Sequence, residues 1–568
     1  MICSIIIVVY IVWRTLSITA PSEDFLYIIS RIKFESLATS FYNIIMGLLS
    51  FIFFLVVPGL PFFMKCIDGN IKNLEISLIF CIVYASVGMY FWILFLMIIN
   101  ASVLTPFGPF LLLSLALHLP SIGTKPKKRS ENDEVQTQGI FGVKIKPQIG
   151  AFLFVFLLIV LFRVLLYSIY VVEFSDGLIY DFHINAIANN SYLRDPEFAR
   201  RAPLYSIIAY QFSWFLPTAI DALKCVSFVF SLAIIFPAIS IMKTLSGKEK
   251  IDTGTYILLV LILFTYSWIN LLSVVNLQDV LLSFYTISFI AIMLTKEAFS
   301  EILGGACGAL AFLSRYSLGV LAPIGFLFIL VHKENHRIRI GLRFIITWSL
   351  IAISWILRNL LVAGVLLSIT DEARLSLNHL YNGLTNSIAH LLMNDIYGVN
   401  MLIVWIPAAI MLVLSFFRRQ GRKHLAPFYS REYAFIFLVM VSQIFVISLF
   451  ESYQSRFLLS VIWIIPIFWI HLNTKLNVQG IGILALGWIV FNMLHCINIF
   501  RVYWLFTEGV LPPGDWTWDY QISEAMMPTE LNVVMGLISL ISLLVVSTLL
   551  SKIGKEVGVN PYSDDCVK

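Results

Sequence analysis

Long apolar runs separated by polar stretches repeat along the chain. They lie near residues 2–19, 43–63, 76–98, 101–119, 149–171, 221–243, 253–271, 277–295, 302–332, 341–357, 400–417, 433–450, 457–472, 478–500 and 531–551. Most approach the roughly 20 residues that carry an α-helix across a hydrocarbon layer about 30 Å thick. The run 302–332 is too long for one crossing, and Ser314-Arg315-Tyr316 interrupts it, which predicts two short or broken spans. The pattern therefore predicts an all-α, polytopic transmembrane helical bundle of about sixteen spans, with external loops that carry short helices.

Basic residues set the expected orientation. Lys125, Lys127, Lys128 and Arg129 precede the run at 149. Lys248 and Lys250, then Lys333, Arg337 and Arg339, then Arg418, Arg419, Arg422 and Lys423, and finally Lys552 and Lys555, fill later loops. Alternating the spans puts all these clusters on one side, the cytoplasmic side by the positive-inside bias. The opposite side receives three long loops, near 172–220, 358–399 and 501–530. Long loops with polar residues are where function concentrates, although all three could merely connect spans. The polar loop 121–148 divides an N-terminal accessory module of about four spans (1–120) from a larger core (149–568). The first run shows no small-residue cleavage site and reads as a retained span.

Composition agrees with the pattern and excludes a soluble enzyme. The 568 residues are 59% hydrophobic and 12% charged, against roughly 45–50% and about 25% in soluble domains. Mean hydropathy is +0.90. The seven cysteines form no CxxC pair, so neither a zinc site nor a disulfide framework is expected. No metal-ligand set is visible, no cofactor is expected, and nothing points to nucleic acid.

Candidate chemistry gathers in the loop that follows the run at 149–171. Asp176, Tyr180 and His183 are spaced i, i+4 and i+7, one face of a helix if the segment is helical. Asp181 would lie about 140° round that helix from Asp176. A carboxylate at the mouth of a span can take a proton from an attacking hydroxyl or amine; a solvated acid at a helix end is the plainer reading of the same spacing. Arg200 and Arg201, followed by Ala202-Pro203-Leu204-Tyr205, suit a phosphate through bidentate guanidinium bonds, or equally reach for lipid headgroups. Asp279 begins a span from the external side, where an acid is costly unless it works or caps the helix. Arg315, Arg358 and Arg456 each sit at the external mouth of a span, against the positive-inside bias, and suggest a shared anionic ligand. Arg163, mid-span, receives no role.

In order along residues 149–475, these segments resemble the polytopic GT-C glycosyltransferases. The branch they most resemble is that of the protein O-mannosyltransferases and the aminoarabinose transferase of lipid A. Members carry an Asp-Glu-x-x-Tyr-x-x-x-Ala pattern in the first external loop, matched by Asp176 and Tyr180, with Ala186 two places beyond the pattern's alanine. A basic residue then precedes Pro-Pro-Leu, matched by Arg201-Ala202-Pro203-Leu204. Asp279 and Leu282 match a later Asp-x-x-Leu, and 308–316 match Gly-Leu-Ala-x-Leu-[Ser/Thr]-Lys-Tyr with Arg315 for Lys. Trp355 to Asn359 match Trp-x-x-Arg-Asn, and 456–459 match Arg-[Tyr/Phe]-Leu-Leu. Two departures stand out: Gly177 replaces the second acid, and Ala202 the first proline. Asp515-Trp516-Thr517-Trp518-Asp519-Tyr520 is similar to a motif of oligosaccharyltransferases, but interfacial anchoring accounts for it better.

The resemblance implies a sugar carried on a polyprenyl phosphate and a glycan, lipid or protein acceptor, meeting at the extracytoplasmic face of a multi-pass cell-membrane protein. Asp176 would activate the acceptor, with Asp181 as the alternative base, and Asp279 would position acceptor or sugar. Arg200, Arg201, Arg315, Arg358 and Arg456 would hold the phosphate, and Tyr180, His183 and Tyr205 would line the substrate site. A secondary transporter or lipid flippase shares the span count and charges, but its site belongs nearer the midplane. A non-catalytic accessory protein of a glycan-assembling complex is a further alternative, against which both Asp176 and Asp279 stand.

Overall fold

A computed structural model describes residues 34–60, 74–98, 175–247, most of 251–332, 336–365, 377–392, 431–449 and much of 458–471, with a few positions between 157 and 167. Among the described residues there is only helix, turn and irregular chain, with no strand. Five helical stretches are long and apolar enough to cross a membrane: Leu37–Gly59, Leu74–Ile98, Ala219–Ser246, Arg337–Ala363 and Arg431–Ser448. Three shorter apolar helical stretches accompany them. The expected spans at 2–19, 101–119, 400–417, 478–500 and 531–551, and the linker 121–148, lie outside the described residues.

In chain order the helices are α1 (Phe34–Phe51), α2 (Leu74–Ile98), α3 (Ser175–Ala188), α4 (Leu204–Phe212), α5 (Ala219–Ala233) and α6 (Ile235–Ser246). Then come α7 (Ser267–Leu272), α8 (Asp279–Leu294), α9 (Ser300–Ser314), α10 (Leu321–His332) and α11 (Arg337–Ala363). α12 (Leu377–Leu392), α13 (Arg431–Ser448) and α14 (Leu459–Ile462) complete the set. Helix α1 runs on through a wider turn at Ile52–Val56 and a tighter one at Val57–Gly59. Pro58 has no N–H for the helical ladder, which accounts for the irregular turn. The apolar run at 302–332 does break where Ser314-Arg315-Tyr316 predicts: α9 ends at Ser314, Arg315 is extended, and a short turn at Tyr316–Val320 leads into α10.

Polar contacts collect at two ends of the bundle. At one end, Lys243 Nζ meets Glu75 at 2.8 Å, Arg343 meets Glu301 at 3.4 Å, and Ser246 Oγ lies 3.4 Å from His471 Nδ1. At the other, Asn43 Nδ2 donates to Asp221 Oδ1 at 2.9 Å, and Asp279 pairs with Arg315 at 3.2 Å. Arg358 reaches the 192–195 loop at this second end. α5–α6 and α8 therefore run from the loop end to the basic end, and α2, α9 and α11 run the other way. Glu75 and Lys243 sit at opposite termini of α2 and α6, where the helix dipoles favour an acid and a base respectively. The first end, with Lys243, Arg337, Arg339 and Arg343, is the basic end; the second, which carries the ordered loop 189–203, is the loop end. Helices α1 and α2 are held to the core at both ends, by Asn43–Asp221 and by Glu75–Lys243 among other contacts.

Between the ends the bundle is apolar and tightly packed. Helix α9 presents Gly304, Gly305, Ala306, Gly308 and Ala309, and a Cβ on Gly305 would strike the Phe344 carbonyl of α11. Small residues at this crossing let the backbones approach, which is how helices associate where no hydrophobic gradient separates protein from lipid. One cation lies deep inside. Arg163 is fully buried and donates to Asn270 Oδ1 at 2.6 Å, Ser231 Oγ at 2.9 Å and the Phe264 carbonyl at 3.1 Å. Its guanidinium also stands 5.2 Å from the Phe264 ring. It thus ties the 263–272 stretch, which leads to Asp279, to α5.

Two glycine substitutions distinguish the close helix crossing from ordinary packing. Gly305→Ala is expected to lower stability by about 1–3 kcal/mol, the usual penalty for overpacking. Gly308→Ala, whose new Cβ would stand 3.4 Å from Phe289, is expected to be near neutral. Thermal unfolding in detergent measures the difference.

Candidate active site

Helix α3 starts at the loop end and turns Tyr180 and His183 inward, the shared face that their spacing predicts. Both are buried. Tyr180 packs edge-on to Tyr205, with ring centres 5.0 Å apart. The Tyr205 hydroxyl donates to the Leu223 carbonyl at 2.8 Å and lies 2.9 Å from Ser227 Oγ, which anchors α4 to α5. His183 is enclosed by Tyr192 and Phe198, with ring centres 5.3 and 4.9 Å away. Its Nδ1 stands 3.4 Å from both the Tyr192 and the Ser206 hydroxyls. Burial, with the Arg201 and Arg358 charges, pushes its pKa down to about 3. These three expected substrate residues form an aromatic core under the loop, with buried rings and largely intramolecular partners. Asp181, on the other side of α3, is half-buried, 3.5 Å from Asn185 Nδ2, and partial burial raises its pKa. The backbone of Asp176 is in the first turn of α3. Its side chain, that of Arg200, and Arg456 altogether lie outside what the structure describes.

Asp279 opens α8 and is 1% exposed. Its Oδ1 meets Arg315 Nη2 at 3.2 Å, and the Arg315 side chain keeps 16% of its surface open. Sequence order separates them by a whole helical hairpin; α8 and α9 bring them together because one begins and the other ends at the loop end. The Asn276 side chain, three residues before Asp279, covers Gly177 so closely that no Cβ fits there. The first turn of α3 and the approach to α8 are thus in contact, and the stretch containing Asp176 meets the stretch containing Asp279.

Arg358 has a different surrounding from the shared anion site expected of it. One terminal nitrogen donates to the Tyr192 and Asp195 carbonyls, each at 2.6 Å, and the other to Asn359 Oδ1 at 3.1 Å. The guanidinium lies 4.9 Å from the Trp355 ring, and Trp355 stacks on Tyr192 at 5.6 Å. Trp355 Nε1 donates to the Tyr316 hydroxyl at 2.8 Å, and that hydroxyl donates to the Arg201 carbonyl at 2.9 Å or the Ala199 carbonyl at 3.2 Å. Arg358, Trp355 and Tyr316 therefore clamp the 192–201 loop by its backbone. In the sequence, Trp355 and Tyr316 belong to matched segments, Tyr316 also closes the break in the run 302–332, and Asn276 lies three residues before Asp279. Their polar or aromatic character beside a charged residue was the available signal.

Arg315 meets the buried Asp279 carboxylate, and the backbone of Arg201 is held by Tyr316, the residue next to Arg315. Among the described residues, no group of three histidine, cysteine, aspartate or glutamate side chains could ligate a metal ion.

Removing one member of the buried pair leaves the other charge stranded. Arg315→Met is expected to cost about 3–5 kcal/mol, and adding Asp279→Asn to recover much of it; a double-mutant cycle on unfolding in detergent measures both. His183 supplies a pH signature. A histidine held neutral by the fold contributes stability that is complete above its unfolded value of about 6.5. That stability falls as the unfolded chain takes up protons below this value, and the loss ends near the folded value of about 3. His183→Phe is expected to flatten the decline of the unfolding temperature over that window.

No protein-family model, no curated protein and no solved structure matches the chain.

Proposed function

We propose that the protein is a membrane glycosyltransferase that moves a sugar from a polyprenyl-phosphate donor to an acceptor at the extracytoplasmic face. The observation that carries this reading is the buried Asp279–Arg315 pair, set against the loop segment that begins with Asp176. The about sixteen expected spans, and a basic end read as cytoplasmic, support an outer-leaflet position for that pair. The proposed polyprenyl tail lies among the spans and the phosphate beside Arg315 and Arg201.

In the proposed reaction an acceptor oxygen or nitrogen attacks the anomeric carbon. The bond from that carbon to the phosphate oxygen breaks, and its electron pair leaves with the phosphate. Asp176 takes the acceptor proton. Asp279 orients the sugar or acceptor and holds Arg315 in place. Arg315, with Arg200 and Arg201, offsets the charge that grows on the leaving phosphate. A single in-line displacement inverts the anomeric carbon. Arg358 acts at one remove, by holding the loop that carries Arg201.

The test incubates membranes with labelled undecaprenyl-phosphate glucose, mannose and galactose and with dolichyl-phosphate mannose. Mass spectrometry identifies the product. Asp176→Asn is expected to lower transfer by about 10²-fold or more while leaving the protein in the membrane. Full activity in Asp176→Asn with a dead Asp181→Asn would move the base to Asp181. Ion-coupled uptake with no consumption of any lipid-linked sugar would replace the reading by transport.

A further inference from the structure

The Asn276 side chain is 1% exposed, and its Nδ2 has no hydrogen-bond partner among the described residues. A buried amide donor left unpaired is costly and calls for an explanation. Its position supplies one. The amide occupies the space that any side chain at 177 would fill. It also sits three residues before Asp279, and two before Gln278, whose Oε1 is likewise buried and unpaired among the described residues. A donor and an acceptor thus lie just ahead of the carboxylate, in the segment that meets the first turn of α3. An amide pair of this kind suits a neutral, hydroxyl-bearing ligand: it can both donate to and accept from one hydroxyl and its neighbour. A phosphate alone would use only the donor.

We infer that Asn276, with Gln278, binds hydroxyls of the donor's sugar, and that the lack of a side chain at Gly177 lets the Asn276 amide take its place at the head of α3. The inference rests on the glycosyltransferase reading and adds to it the groups that hold the sugar. A missing side chain at 177 is then part of the specificity of the site. The glycine leaves room, and the neighbouring segment fills it with a neutral amide in place of a charge. Asn276 is a binding residue here and takes no part in proton transfer.

The experiment uses full-length protein in membranes and whichever lipid-linked hexose from the panel wild type turns over, together with its monodeoxy analogues. Asn276→Ala is expected to raise KM by about five- to tenfold with kcat within about twofold, the size of one neutral hydrogen bond. Gly177→Ala, which displaces the amide without altering it, is expected to do the same. One deoxy analogue is expected to bind poorly to wild type yet lose nothing further in Asn276→Ala, because the contact is already gone. A merely structural role for Asn276 would penalise every analogue alike, and that result overturns the proposal. So does an unchanged KM in both variants while wild type transfers sugar. No transfer by wild type from any donor overturns the glycosyltransferase reading itself, and this proposal with it.

Discussion

A carboxylate and a guanidinium meeting 3.2 Å apart inside an apolar bundle constrain everything around them. Neither Asp279 nor Arg315 is tolerable in that setting without the other. Their pairing requires that α8 begin where α9 ends, and hence that the hairpin between them turn at the basic end. Tyr316, next in the chain after Arg315, then bonds to the backbone of the 199–201 turn. The pair therefore also fixes where the 189–203 loop rests. From there the clamp of Trp355 and Arg358 extends the same layer to α11. The loop end is one connected polar layer resting on an aromatic floor of Tyr180, His183, Tyr192 and Tyr205.

How far this was legible in the sequence depends on the range of each interaction. Apolar runs reveal spans because a helix in lipid needs about 20 apolar residues regardless of its neighbours. The break at Ser314-Arg315-Tyr316 was legible for the same reason: a charge and two polar groups interrupt an overlong run. The inward face of α3 followed from the period of Tyr180 and His183, and Asp279 from its place at the head of a span. The partners were not legible. Arg358 reads as a charge at a span mouth whether it binds a phosphate or the carbonyls of Tyr192 and Asp195, more than 160 positions earlier in the chain. Gly177 read as a missing acid, because nothing local shows that Asn276 fills the space. Arg163 read as a mid-span charge, and its neutral partners Asn270 and Ser231 carry no pattern that links them to it.

Division of labour among the arginines follows from these contacts. Arg163 and Arg358 bond to backbone carbonyls and neutral side chains, and they hold segments in place. Arg315 pairs with an acid at the site and remains partly open. Of the three it is the one proposed to meet the donor phosphate, with Arg201 on the loop that Tyr316 and Arg358 secure.

The proposed site depends on the first turn of α3 touching the segment that leads into Asp279. Cysteines at 177 and 276, with a protease site inserted at residues 248–250, test that contact in native membranes under mild oxidation. The two fragments should stay joined after cleavage and separate on reduction, and only when both cysteines are present. Fragments that separate without reductant would show that the two halves of the site do not meet.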